Sequence, residues 1–267
     1  MSVFPQFAAQ SGAQYPLVKV RRTRTVVELN RAGKPWRYGD PDAARVEWAL
    51  ELRHLDENET ASLRQLFDAC EGRLQPFLFL DPTDNLLSYS EDLTAAVWQK
   101  DALISLTTGV ADPKGGTAAT LISNTAQTAQ RVMQSLGVPA DFRYCLSVWI
   151  RAAQPGPVDL LMSTASATVR ETRTAGTAWS RVDLSASPGG TETTVSFGIE
   201  IPAGASVEVF GYQVEAQPGC GEYKRTAASG GVYPNARFAQ DELAVIAEAP
   251  GRYSAEVRIS SNPPDGA

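Results

Sequence analysis

The sequence predicts a mainly β protein: a split β-sandwich or barrel-like domain with one packed helix, interrupted by an inserted β-sandwich of jelly-roll type. Three observations lead there. The chain has 267 residues, enough for two cores, and its 43% hydrophobic and 20% charged composition is that of a globular protein. Helical periodicity is confined to one early segment, and from about residue 84 to 227 short Thr, Ser and Val runs alternate with Gly and Pro turns. Finally, a hairpin-like segment follows that stretch; a two-stranded piece cannot bury a face alone, so it most simply completes the N-terminal sheet. The boundaries that follow are 1–82 and 229–267 for the split domain and 83–228 for the insert.

The elements follow in order. Leu17 to Leu29 is strand-like but contains Lys19, Arg21, Arg22 and Arg24; from Gly33-Lys34-Pro35 to Gly39-Asp40-Pro41, turn residues predict an exposed loop of about 30–44. Val46, Trp48, Leu50 and Leu52 alternate with polar or small residues, the period of a strand with one buried face. Asp56 precedes Glu59 by three positions, a capping-box spacing, and Leu63, Leu66, Phe67 and Cys70 then share a helical face, predicting a helix over 56–71 stopped at Gly72. Pro76 to Leu80 reads as a strand buried on both faces. In the insert the expected strands are 102–108, 117–123, 129–135, 142–152, 157–164, 167–174, 178–185, 193–200 and 205–215. A hairpin over 242–249 and 252–259 turns at Pro250-Gly251, and 262–266 reads as a tail.

Composition excludes several classes. No run approaches the ~20 apolar residues of a membrane helix, and the first residues lack a basic region followed by an apolar run, so neither membrane insertion nor a signal peptide is expected. A net charge of −6 argues against a dedicated nucleic-acid binder. Residues 1–82 carry eleven basic and eleven acidic groups, residues 83–227 ten and fourteen, and the rest three and five, so the acidity sits in the middle. Cys70, Cys145 and Cys220 are odd in number and far apart, and are read as free thiols.

The inventory for catalysis is poor. His54 is the only histidine; it continues the inward parity of the strand at 46–52, which favours a core or subunit contact. No Gly-x-Ser-x-Gly nucleophile motif accompanies it. Glu91 with Asp92, or Glu200 with Glu208, are the carboxylate pairs available for glycoside cleavage, and solvated surface acids are the blander use. Asp81, Asp84 and Asn85 offer oxygen ligands for Ca²⁺, but without the twelve-residue loop pattern a turn is the expected use. No enzyme activity, metal or cofactor is expected.

Two stretches carry a family resemblance. The order of strand, helix starting at Asp56-Glu57-Asn58-Glu59, Glu71-Gly72-Arg73, then Pro76-Phe77-Leu78-Phe79-Leu80-Asp81-Pro82 and a closing hairpin resembles phage minor tail and distal tail proteins. Asn85-Leu86-Leu87-Ser88-Tyr89-Ser90-Glu91-Asp92-Leu93 with Trp98, and the closing Val209-Phe210-Gly211-Tyr212-Gln213-Val214-Glu215-Ala216 through Tyr233-Pro234, resemble jelly-roll modules of phage tail proteins, relatives of carbohydrate-binding modules. The Gly219-Cys220-Gly221 run departs from that pattern.

The resemblance implies a virion protein of the tail tip, made in the host cytoplasm. It would form a ring, six-fold, with tail tube and hub or baseplate proteins as partners and a host-surface polysaccharide as a further one. A carbohydrate-binding module associated with a polysaccharide-active enzyme is the alternative. Lys19, Arg21, Arg22 and Arg24 are the candidate ring or channel contacts; alternation places Arg22 and Arg24 on one face with Val20, and Lys19 and Arg21 on the other. For glycan stacking the candidates are Trp98, Tyr144, Trp149, Trp179 and Tyr212, with Arg151 to fix hydroxyls, against core packing as the ordinary use of sandwich aromatics.

Overall fold

The computed structural model describes residues 2–7 and 16–262. In chain order the elements are β1 (Leu17–Leu29), β2 (Pro35–Leu55), α1 (Glu57–Ala69), β3 (Phe77–Leu80), β4 (Trp98–Lys100), β5 (Ile104–Val110), β6 (Ala119–Asn124), β7 (Gln130–Leu136) and β8 (Tyr144–Arg151). They continue as β9 (Gly156–Ser163), β10 (Thr168–Ala175), β11 (Ser180–Ala186), β12 (Val195–Ile201), β13 (Ser206–Glu215), β14 (Val232–Phe238), β15 (Val245–Ala249) and β16 (Arg252–Ser261). The chain divides into two compact units: residues up to Leu80 with those from Val232 onward, and Asp81–Gly231. The protein is mainly β, and its described residues form three antiparallel sheets and one helix. Among the described residues no helix is long and apolar enough to cross a membrane.

The split unit is a sheet of order β1-β2-β16-β14-β3, with β15 paired to β16. Alternation in β2 works as a half-buried strand should: Val46, Trp48, Leu50 and Leu52 are buried, and Trp48 packs edge-on against Phe79 and Tyr233. Helix α1 covers this core with Leu63, Leu66 and Cys70, and Phe67 meets Phe238 at 5.0 Å. Its start is the expected capping box: the Asp56 side chain accepts from Glu59 N, and Glu59 accepts from Asp56 N. The expected closing hairpin is β15 and β16, whose Ala255, Val257 and Ile259 enter the same core.

Two expectations in this unit are corrected. The segment 30–44 is not a loop but a tight turn at 30–34 followed by strand, so β1 and β2 pair from Leu29↔Pro35 to Leu17↔Leu50. The Asn30 side chain takes the turn amides of Ala32 and Lys34, each at 2.9 Å. Pro35 sits at the first position of a strand, and residues 41–44 occupy the register shift opposite Arg22/Arg24, both places where a ladder tolerates turn residues. His54 does not continue the inward parity. Between Leu52↔Ala255 and Leu55↔Tyr253 the register shifts, His54 takes φ 59°, and its half-exposed side chain lies 3.8 Å from Glu248 while Leu55 fills the core. The expected tail lies, apart from Asn262, outside the described residues.

The inserted unit is a sandwich of two five-stranded antiparallel sheets, β10-β9-β12-β7-β4 and β11-β8-β13-β6-β5. All nine strands expected from alternation form, joined by the short β4. Leu146, Val148 and Ile150 of β8 face Leu160, Phe197 and Ile199 side chains of the opposite sheet in a core with near-zero exposure. The fold therefore has both faces of its core made by period-two strands, as a jelly roll requires.

Entry and exit of the insert are joined at one place. Leu80 pairs with Val232, Asp81 N donates to Gly231 O and Gly231 N to Asn85 O. Buried Asn85 then uses its whole amide: Nδ2 donates to Tyr212 O and Lys224 O, and Oδ1 accepts from Leu87 N and Val214 N. A Cβ at Gly230 would stand 2.3 Å from Leu86 O, so only glycine allows the exit strand to pass so close. Replacing Asn85 by Ala leaves two amides and two carbonyls without these partners; we expect a loss of about 2–4 kcal/mol in unfolding free energy, read by urea denaturation, and a loss under about 0.5 kcal/mol would refute this role.

Candidate functional site

Each candidate residue has a definite place. On β1, Lys19 lies opposite Trp48, with Nζ 5.9 Å from the ring centroid, and Arg21 lies opposite Val46, which puts both on the core-side face. Arg22 and Arg24 project from the other face, paired with Glu47 at 2.7 Å and Asp40 at 3.3 Å. Exposed pairs of this kind contribute about 0–1 kcal/mol, so they shape the charge of the strand more than its stability. Beyond the core the β1–β2 hairpin carries exposed apolar side chains on both faces: Val27 (53%) and Leu29 (71%) on one, Trp36 (67%) and Tyr38 (49%) on the other.

Of the glycan candidates, three are core residues and cannot stack a sugar. Trp98 and Tyr212 meet at 4.8 Å between the sheets, and Tyr144 meets Phe197 at 5.2 Å; all three are at most 2% exposed. Trp98 Nε1 donates to Tyr89 O and Tyr144 Oη to Pro139 O, while burial pushes the Tyr144 and Tyr212 hydroxyls far above the usual phenol value. Tyr212 points inward because β13 carries a bulge at Gly211, at φ +66°, which lets Phe210 pair outward with Trp149 and Gln213 with Ser147. A Cβ on Gly211 would crowd Trp149 and Tyr223 at 3.1 Å.

The remaining three, Trp149, Arg151 and Trp179, come together on the outward face of the β11-β8-β13-β6-β5 sheet. Alternation turns Ser147, Trp149 and Arg151 of β8 outward, since Leu146, Val148 and Ile150 face the core. Arg181 of β11 lies directly opposite Trp149, its Cζ 4.7 Å from the ring centroid; Arg151 Cζ lies 4.7 Å from the Trp179 ring, and exposed Lys114 places Nζ 5.6 Å from Trp149. The result is a cluster of rings and cations that hold one another in place. Arg151 is fixed by an ion pair with Glu208, its cross-strand neighbour. Arg181 donates to Gly221 O (2.7 Å) and Ser147 Oγ (2.9 Å), its buried Nε has no acceptor among the described residues, and burial depresses its pKa below the usual guanidinium value. Trp179 Nε1, also buried, likewise has none among them. The Lys114 loop is set by Asp112, which accepts from the amides of Lys114, Gly116 and Ala118.

A strap over 217–226 lies along this face. Tyr223 packs edge-on against Trp149 at 5.4 Å and donates to Glu91, Gln213 donates to Glu222 O and accepts from Lys224 N, and Gly221 N donates to the buried Glu215 carboxylate. Its anchor corrects the reading of the cysteines: Cys145 of β8 and Cys220 of the strap form a disulfide, with Cα atoms 5.7 Å apart, and only Cys70 is a free, buried thiol. The two are 75 residues apart in sequence and meet only through the β8–β13 pairing. Asp183 lies near the same sulfurs, but bonded to each other they are not thiolate ligands.

The carboxylates considered for hydrolysis do not form a pair. Glu200 projects from the outward face of one sheet and Glu208 from the other, each held by arginine. Burial alone would raise Glu200, but Arg170 and Arg131 hold it below the usual carboxylate value, the reverse of what a general acid needs. Asp92 accepts from Thr94 and Glu91 from Tyr223 and Arg225. Asp81 accepts from Thr83 N and Oγ1, and Asn85 is spent on the backbone, as a turn and clamp.

No family model matches the sequence, and no curated protein matches it. Among solved structures, the CBM22-1 xylan-binding domain of Paenibacillus barcinonensis Xyn10C is similar at 12% identity with TM-score 0.42, over 51% of this chain and 96% of its own. The C-terminal family 22 carbohydrate binding module of Clostridium thermocellum Xyn10B is similar at 14% identity with TM-score 0.43, over 52% and 96%. The enzymatically active domain of bacteriophage CBA120 tailspike protein 4 is similar at 11% identity with TM-score 0.40, over 51% of this chain and 22% of its own.

The disulfide gives a direct check. Thiol titration of the unfolded, unreduced protein should find one thiol per chain, and three after reduction. Closing so long a loop should stabilise the unit by about 2–4 kcal/mol, so Cys220→Ser should lower its denaturation midpoint; three titratable thiols before reduction would exclude the bond.

Proposed function

We propose that the protein is a non-enzymatic structural component of a phage tail tip, in which the split unit forms a ring between tail tube and hub and the insert is a weak glycan-binding surface. On this reading it resides in the virion. The observation that carries the ring is the β1–β2 hairpin: four large apolar side chains, Val27, Leu29, Trp36 and Tyr38, stand 49–71% exposed on a two-stranded ribbon that is marginal without a partner. Among the described residues the β1 edge beside them has no partner strand, and contacts of such a projecting element with a different surface of the next copy are heterologous, the kind that closes rings. The resemblance of the 56–82 stretch to distal tail proteins supplies the biological setting and the six-fold order.

For the insert, the support is the outward cluster of Trp149, Arg151 and Trp179: apolar ring faces beside fixed hydrogen-bonding groups are what a pyranose needs. Individually weak sites of millimolar affinity, about 4 kcal/mol, gain avidity when displayed around a ring.

Electron microscopy and native mass spectrometry of the full chain, alone and mixed with the tail tube and hub proteins of the same particle, test this. Six-fold rings, lost in Leu29→Glu/Trp36→Glu protein that keeps its circular dichroism, are the expected result. A persistent monomer that engages no tail protein yet binds glycan would overturn the tail role in favour of an enzyme-associated binding module.

A further inference from the structure

We infer that the outward cluster of the insert binds a carboxylate-bearing saccharide, with the acid group at Lys114 and Arg181 and the sugar ring on Trp149. The inference rests on the glycan reading above and narrows it to a substrate class. The inserted stretch 83–227 is acidic overall, with fourteen acids to ten bases, so a general attraction for anions is not expected of it. Locally the balance differs. Lys114 and Arg181 both lie against Trp149, and among the described residues neither has a carboxylate within ion-pair distance.

Arg181 is the telling group. A partly buried guanidinium normally acquires a counter-ion, because desolvation penalises an unpaired charge. Here it has a carbonyl and a hydroxyl, its Nε–H is buried from solvent and lacks an acceptor among the described residues, and the acids that face it, Glu215 and Asp183, act only at longer range. Glu215 is engaged elsewhere, by Gly221 N, Gln213, Gln217 and, at 3.6 Å, Lys224. Arg151 differs in being neutralised by Glu208, which leaves it suited to position the Trp179 ring rather than to bind an anion. Arg181 and Lys114 thus carry charge without a local partner next to an aromatic ring, and Asp112 holds the Lys114 loop in position beforehand. A neutral sugar would leave both charges unused. A uronate would meet them with charge-assisted hydrogen bonds while its ring lies on Trp149.

Calorimetric titration of the full chain with oligogalacturonate and oligomannuronate, each beside its methyl ester, tests the inference. The acid forms should bind at least about tenfold more tightly than their esters, a gap that narrows as salt rises. The exposed substitution Lys114→Gln should weaken acid binding about three- to tenfold without altering stability, and Lys34→Gln, on the β1–β2 hairpin of the other unit, should change nothing. Arg181→Gln should do the same or more, read alongside its thermal melt. Equal binding of acid and ester, or binding indifferent to Lys114→Gln, would overturn the inference and leave the glycan reading standing. Absence of binding to these and to a panel of neutral oligosaccharides would remove the glycan reading and this inference with it.

Discussion

A sheet can be interrupted by some 150 residues only if the chain leaves it and returns at adjacent positions, and everything else in this protein depends on meeting that condition. It is met by a short stack of pairings: Leu80 with Val232, Asp81 with Gly231, and then the buried Asn85 amide, which bonds four backbone groups, three of them late in the insert and one, Leu87 N, beside it in sequence. Backbone polar groups in such a junction would otherwise be buried without partners, and one side chain satisfies several at once. The absence of a side chain at Gly230 lets the two crossings approach.

The outward face of the β11-β8-β13-β6-β5 sheet shows how a fold that needs only one buried face leaves the other available. Its inward row, Leu146, Val148 and Ile150 with Tyr144 and Tyr212 among it, is buried, whereas its outward row combines Trp149, Arg151, Arg181 and Glu208 with a strap pinned by Cys145–Cys220. The cations and rings restrain each other. The opposite sheet spends its outward charges differently: Arg131, Arg170, Glu200 and Asp159 form a closed ion-pair network with little left over.

The split unit carries a contrasting surface. Residues 17–44 hold seven basic and three acidic side chains in a protein of net charge −6, on a hairpin whose distal half adds nothing to its own core.

Strand periodicity, the Asp56–Glu59 cap and the helix face were legible in the sequence because each depends on neighbours only a few residues away. So were the mainly β class and the nine inserted strands. What escaped was decided by irregularities and by distance. The bulges at His54 and Gly211 shift parity by one residue, exposing His54 and burying Tyr212, and nothing in an alternating pattern announces an extra residue on one strand. Arg181 joins Trp149 only because β11 and β8 pair in one register, and Cys220 reaches Cys145 only once β13 has delivered the strap, 75 residues on, to the same face. Local alternation determined which residues could face the core; the tertiary pairing of strands decided which of the others would meet, because side chains distant in sequence become neighbours only when register fixes them opposite one another.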